Sequence, residues 1–287
     1  MHFPVMRDAV LEYLAPPPEG VVLEATAGLG GHTAAIAERM TTGLVIACDR
    51  DAESLEIARR NAGPLAARIR FHRARFSELG SVLAAYGIGK ADGLVADLGA
   101  SRYQMADAPE RGFSLQADGP LDMRMDRSQG TTAAEIVNTT AEKALADLLF
   151  QLGQERRARR IARAIVRARP IHSTLHLARV VERAAPRTGR LHPATQTFMA
   201  LRIAVNEEQE ELQRLLDLVP ELVRAGGRAV IISFMSLEDA RVKRAFQGLA
   251  RSGRAKLLTK HVLRPSGEEV RVNAASRSAK LRAIELL

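Results

Sequence analysis

The sequence predicts an α/β fold in which a mostly parallel, seven-stranded sheet is interrupted by an all-helical insertion. Three observations carry this. Short apolar runs alternate with helix-length amphipathic segments over roughly the first hundred residues, the grammar of βαβ units with right-handed crossovers. Strand signals then vanish from about 105 to 193 and return afterwards. The expected core is therefore 1–104 plus 194–287, and the expected insertion is 105–193.

Taken in order, Val21-Val22-Leu23-Glu24 reads as a strand, His32 to Met40 as a helix, Leu44 to Cys48 as a second strand and 51–62 as a helix. A third strand fits Ile69-Arg70-Phe71-His72, a helix fits 77–86, and Asp92 to Asp97 is a fourth strand. Inside the insertion, Thr139-Thr140-Ala141-Glu142 has capping-box spacing. Leu145, Leu148, Leu149 and Leu152 follow at helical spacing, and Gly153 offers a stop. Next, Ala158, Ile161, Ala162 and Ile165 form an apolar stripe opposite Arg156, Arg160, Arg163 and Arg167, and a third helix fits Ser173 to Pro186. The α/β pattern resumes with one long helix over 194–224 and, after Gly226-Gly227, a strand from Arg228 to Ser233. A helix starting at Ser236-Leu237-Glu238-Asp239, again with capping-box spacing, and β-like runs at 256–262 and 280–286 complete the pattern.

At 287 residues and 46% hydrophobic content the chain can bury a substantial core. No apolar run reaches 18 residues, and the start from Met1 to Asp8 lacks a cationic flank followed by an apolar stretch. A soluble, cytoplasmic chain without membrane contact is expected. A single cysteine, Cys48, excludes intramolecular disulfides and a cysteine-based zinc cluster. The formal charge of +9 is concentrated: residues 151–190 hold eleven arginines and two glutamates, and the rest of the chain holds 31 charges of each sign. Such a patch attracts phosphate, so nucleic acid is the natural partner. The alternative is a solvated face whose arginine stems lie over apolar surface.

Between the first strand and the first helix lies Glu24-Ala25-Thr26-Ala27-Gly28-Leu29-Gly30-Gly31-His32. This glycine-rich turn falls at the carboxyl edge of the parallel sheet, where open α/β sheets bind ligands. A dinucleotide fingerprint would need glycine where Thr33 stands, which weakens a nicotinamide-dependent oxidoreductase as the alternative reading. An acid followed by Gly-x-Gly, with a second acid, Asp49, ending the next strand, is instead the pattern of S-adenosylmethionine (SAM) methyltransferases. Each piece has a plain structural alternative: Gly28 and Gly30 could make a tight turn, Asp49 could cap a helix, and His32 could be a first helical polar residue. Phe76 could flank an adenine ring or belong to the core. Asp97 ends the fourth strand at the topological switch point, where a reacting group would sit.

Further motifs run the length of the chain: His2-x-Pro4-Val5, Gly30-Gly31-His32-Thr33, Asp49-Arg50-Asp51, Arg75 to Leu79, Asp97-Leu98-Gly99 and Glu110 to Ser114. They continue through the specific run Asp118 to Asp126, His192 to Thr195, Ala200 to Asn206, Ser236 to Asp239 and Arg277 to Arg282. On these motifs the chain resembles one family in particular, the small-subunit ribosomal RNA cytosine-N4 methyltransferases of the MraW type. The resemblance implies a Rossmann-like class I SAM-dependent methyltransferase fold, SAM as cofactor, and SAM contacts at Gly30, Gly31, His32, Asp49, Phe76, Asp97 and Gln104. It also implies an inserted helical RNA-recognition domain and, as substrate, a cytidine of small-subunit (16S) ribosomal RNA near the decoding region. The family usually has Asp at Glu24, Ser-Ser-Pro-Gln at Ser101 to Gln104, and His at Met235, so no proton chemistry is expected of Met235.

Methylation at C5 of a pyrimidine generally needs a cysteine nucleophile, whereas an exocyclic amine needs only aim and a proton acceptor. Cys48 ends the second strand, away from Asp97, so Asp97 is expected to be catalytic by positioning the amine. The segment 110–126 could order around a flipped base or be a structural loop; Asp118, Asp122 and Asp126 lack the ligand order of an EF-hand, and no metal is expected. Arg156, Arg160, Arg163 and Arg167 are candidates for substrate binding. Arg202 and Asn206 could serve substrate or tie the insertion to the core, and Arg277, Lys280 and Arg282 could meet phosphate or solvent. With 4% aromatic residues and no tryptophan, a broad stacking platform is disfavoured, pointing to shape and phosphate contacts on an assembled 30S particle. A non-catalytic RNA-binding assembly factor is a further alternative, but it would leave the Gly28-to-Asp97 set idle.

Overall fold

The computed structural model describes residues 4–101, 103–187 and 191–287; Met1 and His2, named above, and Arg102 and Arg190, which fall within the ranges Ser101 to Gln104 and 151–190, lie outside the described residues. The chain divides into two compact units, Met1–Gly99 with Gln209–Leu287, and Ala100–Glu208. The elements run α1 (Arg7–Leu14), β1 (Val21–Glu24), α2 (Gly31–Arg39), β2 (Leu44–Asp49), α3 (Ala52–Asn61), β3 (Ile69–Arg73), α4 (Leu79–Ala85) and β4 (Ala91–Asp97). Next come α5 (Ala133–Thr139), α6 (Glu142–Gly153), α7 (Ala158–Arg167), α8 (Thr174–Ala184) and α9 (Thr195–Asn206). The chain then continues through α10 (Glu208–Leu222), β5 (Val223–Ser233), α11 (Ser236–Arg251), β6 (Ala255–Leu257), α12 (Gly267–Val272) and β7 (Lys280–Leu286). Among the described residues no helix is long and apolar enough to cross a membrane.

The first unit is built on one seven-stranded sheet of order β3-β2-β1-β4-β5-β7-β6. All pairings from β3 through β5 are parallel, and β7 runs antiparallel to both β5 and β6. Successive strand residues point to opposite faces, and the core follows that alternation. Leu23, Ile46, Leu94 and Ile231 join one buried cluster with Leu83, Leu215 and Phe246. Val22, Val45, Val95 and Val230 join the other with Leu14, Ile36 and Leu55. Both faces are thus covered, as a parallel sheet requires. β1 lies between β2 and β4, so the order reverses there and opens a crevice at the carboxyl ends of the strands.

Three expectations about the elements after the insertion are corrected. The helix expected over 194–224 is two helices, because Glu207 takes a left-handed φ of +51° and ends α9. The run at 256–262 pairs only as β6, since the amides of Leu258 and Thr259 both donate to the carbonyl of Ala283 and the ladder stops. The capping box of α11 is shifted by one residue: Met235 is the N-cap, and Glu238 accepts from the backbone amides of Phe234 and Met235 at 3.1 and 3.0 Å.

The second unit is helical around its own core, with Leu145, Leu149, Ile161, Ile165, Leu177, Val181, Phe198 and Leu201 buried together. Its bounds replace the expected 105–193, because α9 packs on α6 inside this unit. Gly153 explains the closeness: a Cβ there would stand 2.4 Å from the carbonyl oxygen of Gln196. It is therefore the last helical residue and not the cap, and Gln154 supplies the left-handed cap at φ 54°. The capping box also moves. Ala141 precedes α6 without side-chain capping, whereas Thr132 and Glu135 form the box of α5, a helix the periodicity did not indicate.

Candidate active site

The residues of the crevice are delivered by consecutive strand ends. The loop after β1 is stitched to both neighbours: the amide of Ala25 donates to Val95 O at 2.8 Å, and that of Ala27 to Cys48 O at 2.7 Å. Thr26 Oγ1 accepts the amide of Asp97 at 2.6 Å. Gly28, Gly30 and Gly31 have separate reasons to be glycine. A Cβ on Gly30 (φ +88°) would lie 3.2 Å from Ala58 of α3, and one on Gly31 would lie 3.2 Å from Pro4. Gly28 (φ +53°) faces open space. Gly30 and Gly31 thus serve packing, and Gly28 has open space beside it.

Asp49 is not the cap of α3. Asp51 takes that task, accepting the amides of Glu53 and Ser54. Asp49 instead accepts the amide of Gly28 at 2.8 Å on one oxygen and that of Asp51 at 2.9 Å on the other, so it ties the glycine loop to the end of β2. Burial lifts its pKa to about 6, with the two amide hydrogen bonds opposing the rise. Phe76 stands in the short turn that follows β3, half-buried, with its ring against the core cluster of Leu79 and Leu83.

Asp97 and His32 meet at the centre. His32 Nε2 lies 3.8 Å from Asp97 Oδ2, and the imidazole is 6% exposed. Asp97 Oδ1 is buried without a hydrogen-bond partner among the described residues. Burial, reinforced by the charge of Glu238, lifts the Asp97 pKa to about 7. Beneath them, Glu24 is fully enclosed and accepts the hydroxyl of Thr33. Burial, with help from Asp49 and Asp97, raises its pKa to about 8, so at neutral pH it is mainly the neutral acid. Thr33, standing where a dinucleotide fingerprint needs glycine, is buried and committed to Glu24. The Cys48 thiol is fully buried and its pKa is pushed far up by burial, which leaves no thiolate for nucleophilic chemistry.

The structure thus brings Gly30, Gly31, His32, Asp49, Phe76 and Asp97 to the strand ends of the first unit. Gln104 lies in the second unit, on the turn Tyr103–Asp107, where its Oε1 accepts the amide of Ser101 at 3.0 Å. Sequence reasoning missed Thr26 and Thr33 as fixed partners of Asp97 and Glu24. The acid-to-Thr33 spacing across one βα turn was their only signal.

In the second unit, Arg156, Arg160, Arg163 and Arg167 are exposed on or beside α7, whose Ala158, Ile161, Ala162 and Ile165 are buried. Arg163 has Glu142 at 3.4 Å. Other arginines of the patch are structural: Arg157 donates to Pro186 O at 2.9 Å, and Arg169 to Val137 O at 2.8 Å. Asn206, 1% exposed, donates to Met123 O at 2.7 Å and accepts from the amide of Met125 at 2.8 Å, while Arg202 is bidentate with Glu208. Both therefore organise their own unit. Asp118, Asp122 and Asp126 do not share a helix face, because their segment is not helical. Asp118 accepts from Leu175 N, Asp122 pairs with Arg124, and Asp126 accepts from Ser128 and Gln129. Arg282 is held by Asp239 at 2.7 Å, which removes it from the candidates for phosphate.

The sequence model of the MraW methylase family matches residues 1–287. The ribosomal RNA small subunit methyltransferase H of Solibacter usitatus is 62% identical over 286 residues, covering 100% of both chains. Its namesake from a Cyanothece species is 46% identical over 288 residues, covering 100% of this chain and 95% of its own. Among solved structures, an rRNA methylase from Streptococcus thermophilus is 14% identical with a TM-score of 0.43, covering 98% of this chain and 93% of that one. With the family model spanning every residue and relatives this similar over their full length, the chain belongs to the MraW methylase family.

Proposed function

We propose that this chain transfers a methyl group from SAM to the exocyclic N4 of a cytidine in small-subunit ribosomal RNA, near the decoding region and within an assembled 30S particle. The coarser activity, SAM-dependent methylation of small-subunit ribosomal RNA, is that of its family. The finer reading rests on Asp97: a buried carboxylate oxygen without a partner among the described residues, at the switch point of the sheet, beside His32.

The residues present fit SAM. Gly28 leaves open space beside the loop, and Asp49 is rigidly held and suited to accept ribose hydroxyls. Phe76 would lie along the adenine, with Gly30, Gly31 and His32 framing the loop; a contact at Gln104 rests on the family resemblance alone. Bound there, SAM would supply an electrophilic methyl group on a sulfonium, with the neutral thioether as its leaving group. Asp97 then has two tasks. As a carboxylate it accepts an amine N–H and aims the weak nitrogen lone pair, and it stabilises the positive charge that develops on nitrogen. With a pKa of about 7 it is also poised to take the departing proton. Cys48, buried and protonated, offers no route to C5.

Arg156, Arg160, Arg163 and Arg167 supply a phosphate-binding face for the ribosomal substrate. The test is methyl transfer to purified 30S particles with isotopically labelled SAM, followed by mass analysis of the nucleosides. N4-methylated cytidine is the expected product. A C5-methylated product would refute the assignment of Asp97, since it demands a nucleophile this site lacks.

A further inference from the structure

The geometry points to Glu211 as a positioning residue for the cofactor: it holds the turn that carries Phe76 and so sets the affinity for the adenosine half of SAM. This rests on the reading of Phe76 as an adenine contact. Glu211 lies on α10, 134 residues from the turn in sequence, and is 2% exposed. Its carboxylate accepts the backbone amide of Ser77 at 3.1 Å on Oε2. The Ser77 hydroxyl donates to it at 3.2 and 3.3 Å, and Arg214 at 2.7 Å.

A buried carboxylate is costly unless its oxygens are satisfied. Apart from Arg214, the donors that satisfy this one belong to a single residue of a surface turn, and that residue adjoins Phe76. The other end of the turn is fixed as well, because the amide of Ala74 donates to the carbonyl of Asp49 at 3.0 Å. Glu78 closes the turn on itself by accepting the amide of Arg75 at 2.7 Å. The segment from Ala74 to Glu78 is thus anchored at Asp49, the ribose candidate, and at Glu211. Spacing between the ribose carboxylate and the adenine ring is set by these two anchors. An anion is needed at the second, since an amide side chain could accept at only one of its two terminal atoms. Supports of this kind act on binding by preorganising the residue that touches the ligand.

The experiment compares Glu211→Gln, Ser77→Ala and Phe76→Ala by calorimetric titration with SAM and with 5′-methylthioadenosine, which keeps the adenosine and lacks the amino-acid arm. It adds kcat on 30S particles at saturating SAM. Glu211→Gln should weaken both ligands equally, by about tenfold, with kcat within about twofold of the parent. Ser77→Ala should move affinity in the same direction, and the Ser77→Ala/Glu211→Gln double variant should be no weaker than Glu211→Gln alone, because the two share one network. Folded Glu211→Gln with unchanged affinity, while Phe76→Ala weakens binding, overturns the role of Glu211 and leaves Phe76 in place. Unchanged affinity in Phe76→Ala overturns both readings. If Glu211→Gln does not fold, Ser77→Ala decides: Ser77 is exposed, so its variant stays folded, and parental affinity there refutes the proposal.

Discussion

His32 Nε2 stands 3.8 Å from one carboxylate oxygen of Asp97, whose other oxygen is buried without a hydrogen-bond partner among the described residues. A carboxylate left half-unsatisfied is expensive in a folded protein. It is the arrangement expected where a substrate amine completes the set.

Asp97→Asn should therefore lower kcat by roughly a hundredfold, the scale of an absent general base, while SAM affinity changes little. Single-turnover methyl transfer to 30S particles at saturating SAM measures it. A rate within about threefold of the parent, under roughly 0.7 kcal/mol, would leave Asp97 a structural or cofactor-binding residue.

The same carboxyl predicts a pH profile. Its acting form is ionised and its pKa is raised to about 7, so the single-turnover rate should climb as pH rises through that value and level above it. The climb should be absent in Asp97→Asn. A flat profile in the parent from pH 6 to 8 would contradict the assignment.

On the proposed reading Asp49→Ala should weaken SAM severely, because the carboxylate that would accept the ribose hydroxyls also holds the Gly28 amide. Removing a charge-assisted hydrogen bond of this kind costs on the order of 1.5–3 kcal/mol, readable by calorimetric titration of the folded variant. Unaltered affinity would place Asp49 outside the site.

Replacing Arg156, Arg160, Arg163 and Arg167 together by Gln should leave SAM affinity at the parental value and raise KM for 30S particles. The log–log salt dependence should also flatten, by about 0.7–0.9 for each phosphate that is no longer neutralised. Arg163 should contribute least, since Glu142 already faces it. Identical salt slopes would reduce α7 to a solvated face.

Glu24→Gln bears on stability. Between its ordinary pKa of 4.5 and the raised value of about 8, the folded chain keeps a proton that the unfolded chain has released, so stability falls as pH increases across that window. Glutamine should retain an acceptor for Thr33 and flatten this slope. Thermal unfolding at pH 5 and pH 8 measures it, and equal pH sensitivity in both proteins would sink the idea.

The sheet was legible because its strands are buried on both faces and alternate with helices at regular spacing, and so was the placement of Asp49 and Asp97 at the ends of β2 and β4. Features that depend on distant partners were not. Glu211 reads as one more acid in an amphipathic helix until Ser77, far away in sequence, is found beside it. The break at Glu207 carries no glycine to announce it, since an ordinary residue there adopts the left-handed conformation. Arg282 and Asn206 looked available because sequence shows charge and polarity but not the carboxylate or the carbonyls that occupy them.

β7 is the last strand in the chain, yet it lies inside the sheet, bonded on both sides by β5 and β6. During synthesis the two units therefore become able to fold at different times. Residues 100–208 are contiguous and can collapse while the ribosome is still extending the chain. The sheet must keep β5 waiting with an open edge until residues 280–286 have emerged, and such long-range pairing is slow. The cofactor-binding sheet thus closes only after residues 280–286 have emerged, and a pause before that point would expose the open edge of β5 to aggregation.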